Sequence, residues 1–102
     1  MTVYNKLVRD LIPELIASKG EFCKTHLATP EEFEIKLLEK VLEEAQELKE
    51  DHGSIEELAD MLEVFEALIE LKGYDWEQLR QVQKEKKEKR GGFTKRIILE
   101  ES

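Results

Sequence analysis

Glu43-Glu44-Ala45-Gln46-Glu47-Leu48-Lys49-Glu50-Asp51-His52-Gly53-Ser54-Ile55-Glu56-Glu57-Leu58-Ala59-Asp60 is the stretch that organises the chain. Residues three apart share a face of an α-helix, so Glu44 goes with Glu47 and Glu57 with Asp60. Between the halves, Asp51-His52-Gly53-Ser54 reads as a helix stop, a turn and a new N-cap. An antiparallel hairpin folded about His52 sets residue 44 level with 60 and 47 level with 57, about two helical turns from its tip. Four carboxylates at one height repel one another unless they are protonated or bridged by a cation. An oxygen-only set suits a hard ion, Mg2+ or Mn2+, better than zinc.

Both arms of the hairpin carry helix signals. Thr29-Pro30-Glu31-Glu32 combines a Thr N-cap, Pro at the first helical position and Glu three after the cap, and predicts a helix running to about Glu50. Its apolar face is Phe33, Leu37, Leu38, Val41, Leu42, Ala45 and Leu48. Glu44 borders that face, Glu47 lies further round and Glu43 points away. Ser54 starts the next helix, with Glu57 three after the cap and Gly73 as its stop. This helix is apolar around most of its circumference, which predicts burial on several sides. One small chain can hardly bury a helix so fully, so a homodimer or higher homo-oligomer is expected.

The flanks are shorter. Asp10 is expected to cap a helix over residues 11–18, with Pro13 tolerated in its first turn and Gly20 at its end. Asp75 starts a fourth helix that runs to about Arg90 and stops at Gly91-Gly92. Phe93 to Leu99 reads as a short tail strand or extended arm. The expected fold is all-α, one domain spanning 1–102: an antiparallel helix hairpin in a bundle completed by dimerisation, with a short extended C-terminal arm.

Charge is divided along the chain. The 102 residues are 40% apolar and 39% charged, with a net charge of −8. This balance disfavours nucleic acid as a partner, because phosphate backbones call for a basic surface. No apolar run approaches the ~20 residues of a membrane span, and the N-terminus lacks a signal-peptide pattern. The single cysteine, Cys23, points to a reducing compartment, so a cytoplasmic location is expected. Glu31 to Glu70 holds fifteen acids against three lysines, whereas Lys84 to Arg96 holds seven bases against two acids. A metal-bound phosphate ester would satisfy both segments; so would two solvated helix faces that steady each other.

On the third helix Glu57 and Asp60 share a strip with Val64, Leu68 and Leu71 rather than with the polar side. A buried unpaired carboxylate is costly. Glu57 has a second explanation as the capping-box partner of Ser54. Asp60 has none of that kind, although a base such as Arg9 or Arg90 could pair with it. On this reading Asp60→Asn leaves a metal-free scaffold equally stable or more so. His26 and His52 stand in no constellation that could hold zinc or drive nucleophilic catalysis.

Glu43-Glu44-Ala45-Gln46-Glu47 followed by Glu57-Leu58-Ala59-Asp60 resembles the EExxE…ExxD motif of the MazG-type all-α nucleotide pyrophosphohydrolases, whose relatives include phosphoribosyl-ATP pyrophosphohydrolase and dimeric dUTPases. Lys40 ahead of Glu43, the run from Tyr4 to Pro13 and Lys89-Arg90-Gly91-Gly92-Phe93 are similar to a phosphoribosyl-ATP pyrophosphohydrolase-like subgroup. The resemblance implies Mg2+-dependent hydrolysis of a nucleoside triphosphate, or a related nucleotide, between the α and β phosphates, giving a monophosphate and pyrophosphate. It assigns Glu44, Glu47, Glu57 and Asp60 as metal ligands and Glu43 as a nearby acid; Glu43 and Glu44 are the candidates for the catalytic proton transfer. The chain departs from the family in its short connection, with nine residues between Glu47 and Glu57.

Lys86, Lys87 and Arg90 are candidates to bind the phosphates, with Gly91-Gly92 allowing close backbone approach. They also fit a basic helix end followed by a glycine stop. Lys6 and Arg9 are either phosphate contacts or partners for acidic neighbours. A different class of function, a helical dimerisation or interaction module without turnover, fits the same bundle.

Overall fold

A computed structural model describes residues 2–102, and these contain four helices and no strand. They are α1 (Ile12–Ser18), α2 (Pro30–Glu50), α3 (Ile55–Lys72) and α4 (Trp76–Arg90). No helix among the described residues is long and apolar enough to cross a membrane.

Helix ends follow local chemistry. The Thr29 hydroxyl accepts from the Glu32 N–H at 3.2 Å, and Ser54 accepts from the Glu57 N–H at 3.3 Å. Each satisfies a first-turn donor that has no intrahelical partner. Asp75 caps α4 by accepting from the Glu77 N–H. Gly73 closes α3 at φ +68°, in the left-handed region that costs glycine nothing, and the Tyr74 N–H reaches back to the Ile69 carbonyl. At α1 the expected cap is corrected. An Ile12 N–H to Arg9 carbonyl bond makes Asp10 and Leu11 an entry turn, so Leu11 is the N-cap and no side chain caps the helix.

The chain reverses between α2 and α3 over Asp51–Ser54. His52 at φ +53° and Gly53 at φ +75° make the turn, and the Gly53 N–H closes it on the Leu48 carbonyl. α2 and α3 then pack side by side along their length. An ion pair between Lys72 and Glu34 ties the open end of the pair. Together with the approach of Glu44 to Asp60, it fixes the antiparallel register.

One expectation meets a different outcome. Phe93 to Leu99 forms no strand. The Arg96 N–H bonds back to the Phe93 carbonyl, and Arg96 takes φ +56°, which interrupts an extended run. Phe93, Ile97, Ile98 and Leu99 stay exposed on an irregular arm. Within one chain α3 is not covered on several sides: Leu58, Leu62 and Phe65 are exposed. Among the described residues, the fully covered apolar side chains are Leu37 of α2 and Val64 of α3, which lie inside the helix pair. The Cα radius of gyration is 17.8 Å, against ~13 Å for a compact domain of this length.

Candidate metal centre

The hairpin register delivers the acidic groups to one place. One carboxylate oxygen each from Glu44, Glu57 and Asp60 lies within 4.8 Å of the others, and the same holds for Glu43, Glu44 and Glu47. Glu44 belongs to both groups and is the best-buried acid, at 7% exposure. It falls at two turns from Leu37, on the side of α2 that faces α3.

Two oxygens have no partner: Oε2 of Glu44 and Oε2 of Glu57 are buried without a hydrogen bond. This removes the capping-box account of Glu57. Ser54 caps α3 by accepting from the Glu57 backbone N–H, its hydroxyl donates to Asp51 at 2.9 Å, and the Glu57 side chain is left facing the other acids.

Burial, then the Glu47 charge, raises the affinity of the Glu44 carboxyl for a proton above the ordinary 4.5; Lys40 opposes this and Asp60 adds to it. Desolvation, Glu47, Asp60 and Asp51 push Glu57 upward, against a lowering hydrogen bond from Glu44. Glu43 goes the other way. Desolvation works against its charge, but the hydrogen bonds and charges of Lys40 and Lys6 outweigh it and hold the carboxyl below 4.5.

The cations at the centre come from two directions. Lys6 reaches Glu43 at 3.1 Å and Arg9 reaches Asp60 at 2.7 Å, so the segment ahead of α1 lies along one side of the hairpin. Lys40 lies one turn before its partners on α2, 3.1 Å from Glu43 and 3.7 Å from Glu44. Of the alternatives open for Lys6 and Arg9, contact with acidic neighbours is what the structure contains. Asp60 therefore has a basic partner. Because that pair is half exposed on both sides, its net contribution is ~0–1 kcal/mol, and Asp60→Asn is no longer expected to leave stability unchanged or raised. The sequence reading missed the bridging place of Lys40, although its spacing of three and four residues from Glu43 and Glu44 announced it.

Lys86, Lys87 and Arg90 are not brought to the acids. They lie exposed on the last turns of α4, and none forms an ion pair or a side-chain hydrogen bond among the described residues. His26 pairs with Glu32 at 2.9 Å, outside the cluster.

An all-oxygen donor set with two unpartnered buried oxygens fits a hard divalent cation, which would relieve the repulsion that otherwise falls to protons. The metal-free protein should show this as a pH dependence of stability. Glu44 and Glu57 bind protons more tightly folded than unfolded. Their charged forms cost the fold nothing below 4.5 and an increasing amount as pH rises through the raised folded values. Glu43 contributes stability above 4.5 that is lost as pH falls through its lowered value. In EDTA the thermal midpoint should climb as pH is lowered from neutral toward the carboxylate range, then fall below it. Melting curves in a pH series check this; a midpoint that only falls on acidification contradicts it.

Compared with known protein families, with curated proteins and with solved structures, the chain finds no match in any of the three.

Proposed function

We propose that the chain is a Mg2+- or Mn2+-dependent nucleotide pyrophosphohydrolase that works as a homo-oligomer, splitting a nucleoside triphosphate or related nucleotide between the α and β phosphates. The observation that carries this reading is the convergence of Glu44, Glu57 and Asp60 across the hairpin, with Glu47 beside Glu44 on α2 and with buried oxygens of Glu44 and Glu57 left without partners. The motif resemblance supplies the reaction class.

Glu44, Glu47, Glu57 and Asp60 would hold the cation, whose chemistry when bound is to neutralise phosphate charge and make a water more acidic. Glu43 is engaged by Lys6 and Lys40, so it shapes the field more than it accepts protons. Glu44, the most desolvated acid, is the better proton acceptor. Lys6 and Arg9 stand where a phosphate approaching from their side would meet positive charge. Lys86, Lys87 and Arg90 would reach a phosphate only from a second chain or after a movement of α4.

The interaction-module reading draws support from the partial neutralisation of the cluster within the chain by Lys6, Arg9 and Lys40. A hydrolysis screen separates the two. Ribo- and deoxynucleoside triphosphates and phosphoribosyl-ATP are incubated with Mg2+, Mn2+ or EDTA, and pyrophosphate is resolved from orthophosphate. Metal-dependent pyrophosphate release is expected. Absence of turnover together with no metal-induced thermal shift would leave the interaction module standing.

A further inference from the structure

Three bases meet the acids, and they do not hold them alike. Glu43 has both oxygens taken: Lys6 donates to Oε1 and Lys40 to Oε2, each at 3.1 Å. The Tyr4 ring lies 5.4 Å from the Lys6 ammonium and steadies it further. Asp60 is held at Oδ1 by the Arg9 guanidinium, at 2.7 Å. Both ends of that pair are about half exposed, so the guanidinium is lightly held. Its long side chain can leave Asp60 without a movement of the backbone.

A cation in the centre would draw on the same carboxylate. Asp60 shares its oxygen cluster with Glu57 and with Glu44, which is 7% exposed and has a buried oxygen without a partner. When all are ionised, Glu43, Glu44, Glu47, Glu57 and Asp60 carry five negative charges against three positive charges on Lys6, Arg9 and Lys40. The difference is the charge that one divalent cation cancels. A cation sharing Asp60 with Arg9 repels it, because like charges at that separation interact strongly. A phosphate entering the filled centre gives the guanidinium a better partner, since it accepts two parallel N–H bonds.

We propose that Arg9 is an exchangeable counter-ion: it sits on Asp60 while the centre is empty and passes to a substrate phosphate when cation and nucleotide arrive together. The clamp of Lys6 and Lys40 on Glu43 keeps the segment ahead of α1 in place, so the guanidinium stays within reach. Lys6 is thereby an anchor and Arg9 a substrate contact. The ligand class this selects is a chelate of a divalent cation with a polyphosphate. A free cation has to compete with Arg9, and the apparent affinity of a site falls by the fraction of time it is closed. A free polyphosphate meets carboxylates with no cation between. The inference rests on the metal reading of the acidic cluster.

Two affinities of the full chain test it, neither of them an activity. The first is for Mn2+ alone, read from the spin-resonance signal of the free ion. Arg9→Gln is expected to bind Mn2+ about two- to fivefold more tightly than the parent, the factor by which a half-exposed pair opposes it, and Arg9→Lys to stay close to the parent. The second is for α,β-methylene ATP at saturating Mg2+, read by calorimetry. Here Arg9→Gln is expected to lose at least about tenfold, the worth of a charge-assisted hydrogen bond, and Arg9→Lys to recover part of it. A merely structural Arg9 would weaken both affinities together, so a loss of Mn2+ binding in Arg9→Gln overturns the proposal, as does an unchanged affinity for the analogue. Lys36→Gln, which removes a base paired to Glu39 on α2, should move neither value; equal shifts there would make the effect a general field and overturn the exchange. Mn2+ binding of equal strength in parent and Arg9→Gln leaves the metal centre standing and overturns the exchange alone. No Mn2+ binding in either brings down the metal centre and this role of Arg9 with it.

Discussion

Glu44→Gln is expected to lose metal-dependent pyrophosphate release by at least ~100-fold while the metal-free protein melts at the same temperature or higher. Both halves follow from one position. Glu44 is shared by the two acidic groups, is the best-buried acid and has an unpartnered oxygen. Its charged form is disfavoured by desolvation and by Glu47, so a neutral isostere removes a cost from the fold in EDTA. The same substitution removes a carboxylate oxygen from the cation site, and the metal-induced rise in melting temperature should shrink with it. Asp60→Asn is a less clean probe, because it also breaks the Arg9 pair. Thermal melts with EDTA and with Mg2+, beside the pyrophosphate assay, decide the matter. A large fall in metal-free stability would assign Glu44 a structural role; parent-level hydrolysis would remove it from the centre.

Leu37→Ala should produce the largest change in stability of any single apolar truncation. Leu37 is 2% exposed and sits between α2 and α3, and truncating a buried leucine costs ~2–5 kcal/mol through lost transfer energy and the cavity left behind. A domain of this size has ~5–15 kcal/mol in total, so at ~4–8 °C per kcal/mol the melting temperature should fall by ~10 °C or more. The acids sit between the same two helices, so metal affinity should weaken as the pair loosens. Leu27→Ala is the control: Leu27 is 97% exposed, and its truncation should stay within ~0.5 kcal/mol. Chemical denaturation of both variants at matched chain concentration provides the comparison; equal midpoints would mean that the helix pair is not where the fold is held.

Much of the helix pattern is legible in the order of amino acids alone. Thr29, Ser54, Gly73 and Asp75 mark the ends of α2, α3 and α4 because capping is settled by a few neighbouring backbone groups. Asp10 misleads for the same local reason: the Arg9 carbonyl takes the Ile12 N–H and moves the entry by one residue. The gathering of Glu44, Glu57 and Asp60 is legible too, since a short turn and a fixed helical rise leave one antiparallel register.

The partners of those acids are not legible. Lys6 and Arg9 stand 37 and 51 residues from Glu43 and Asp60, in a stretch with no periodicity to say where it lies. Three open alternatives are resolved by the shape of the chain. Arg9 rather than Arg90 takes Asp60, Glu57 keeps its carboxylate out of the cap, and α4 carries Lys86, Lys87 and Arg90 away from the cluster. Helix ends and register depend on hydrogen bonds and spacings within a few residues, which the order of amino acids states directly. Which cation meets which acid, and which oxygen is left with none, depends on how distant segments pack, and only the tertiary structure decides that.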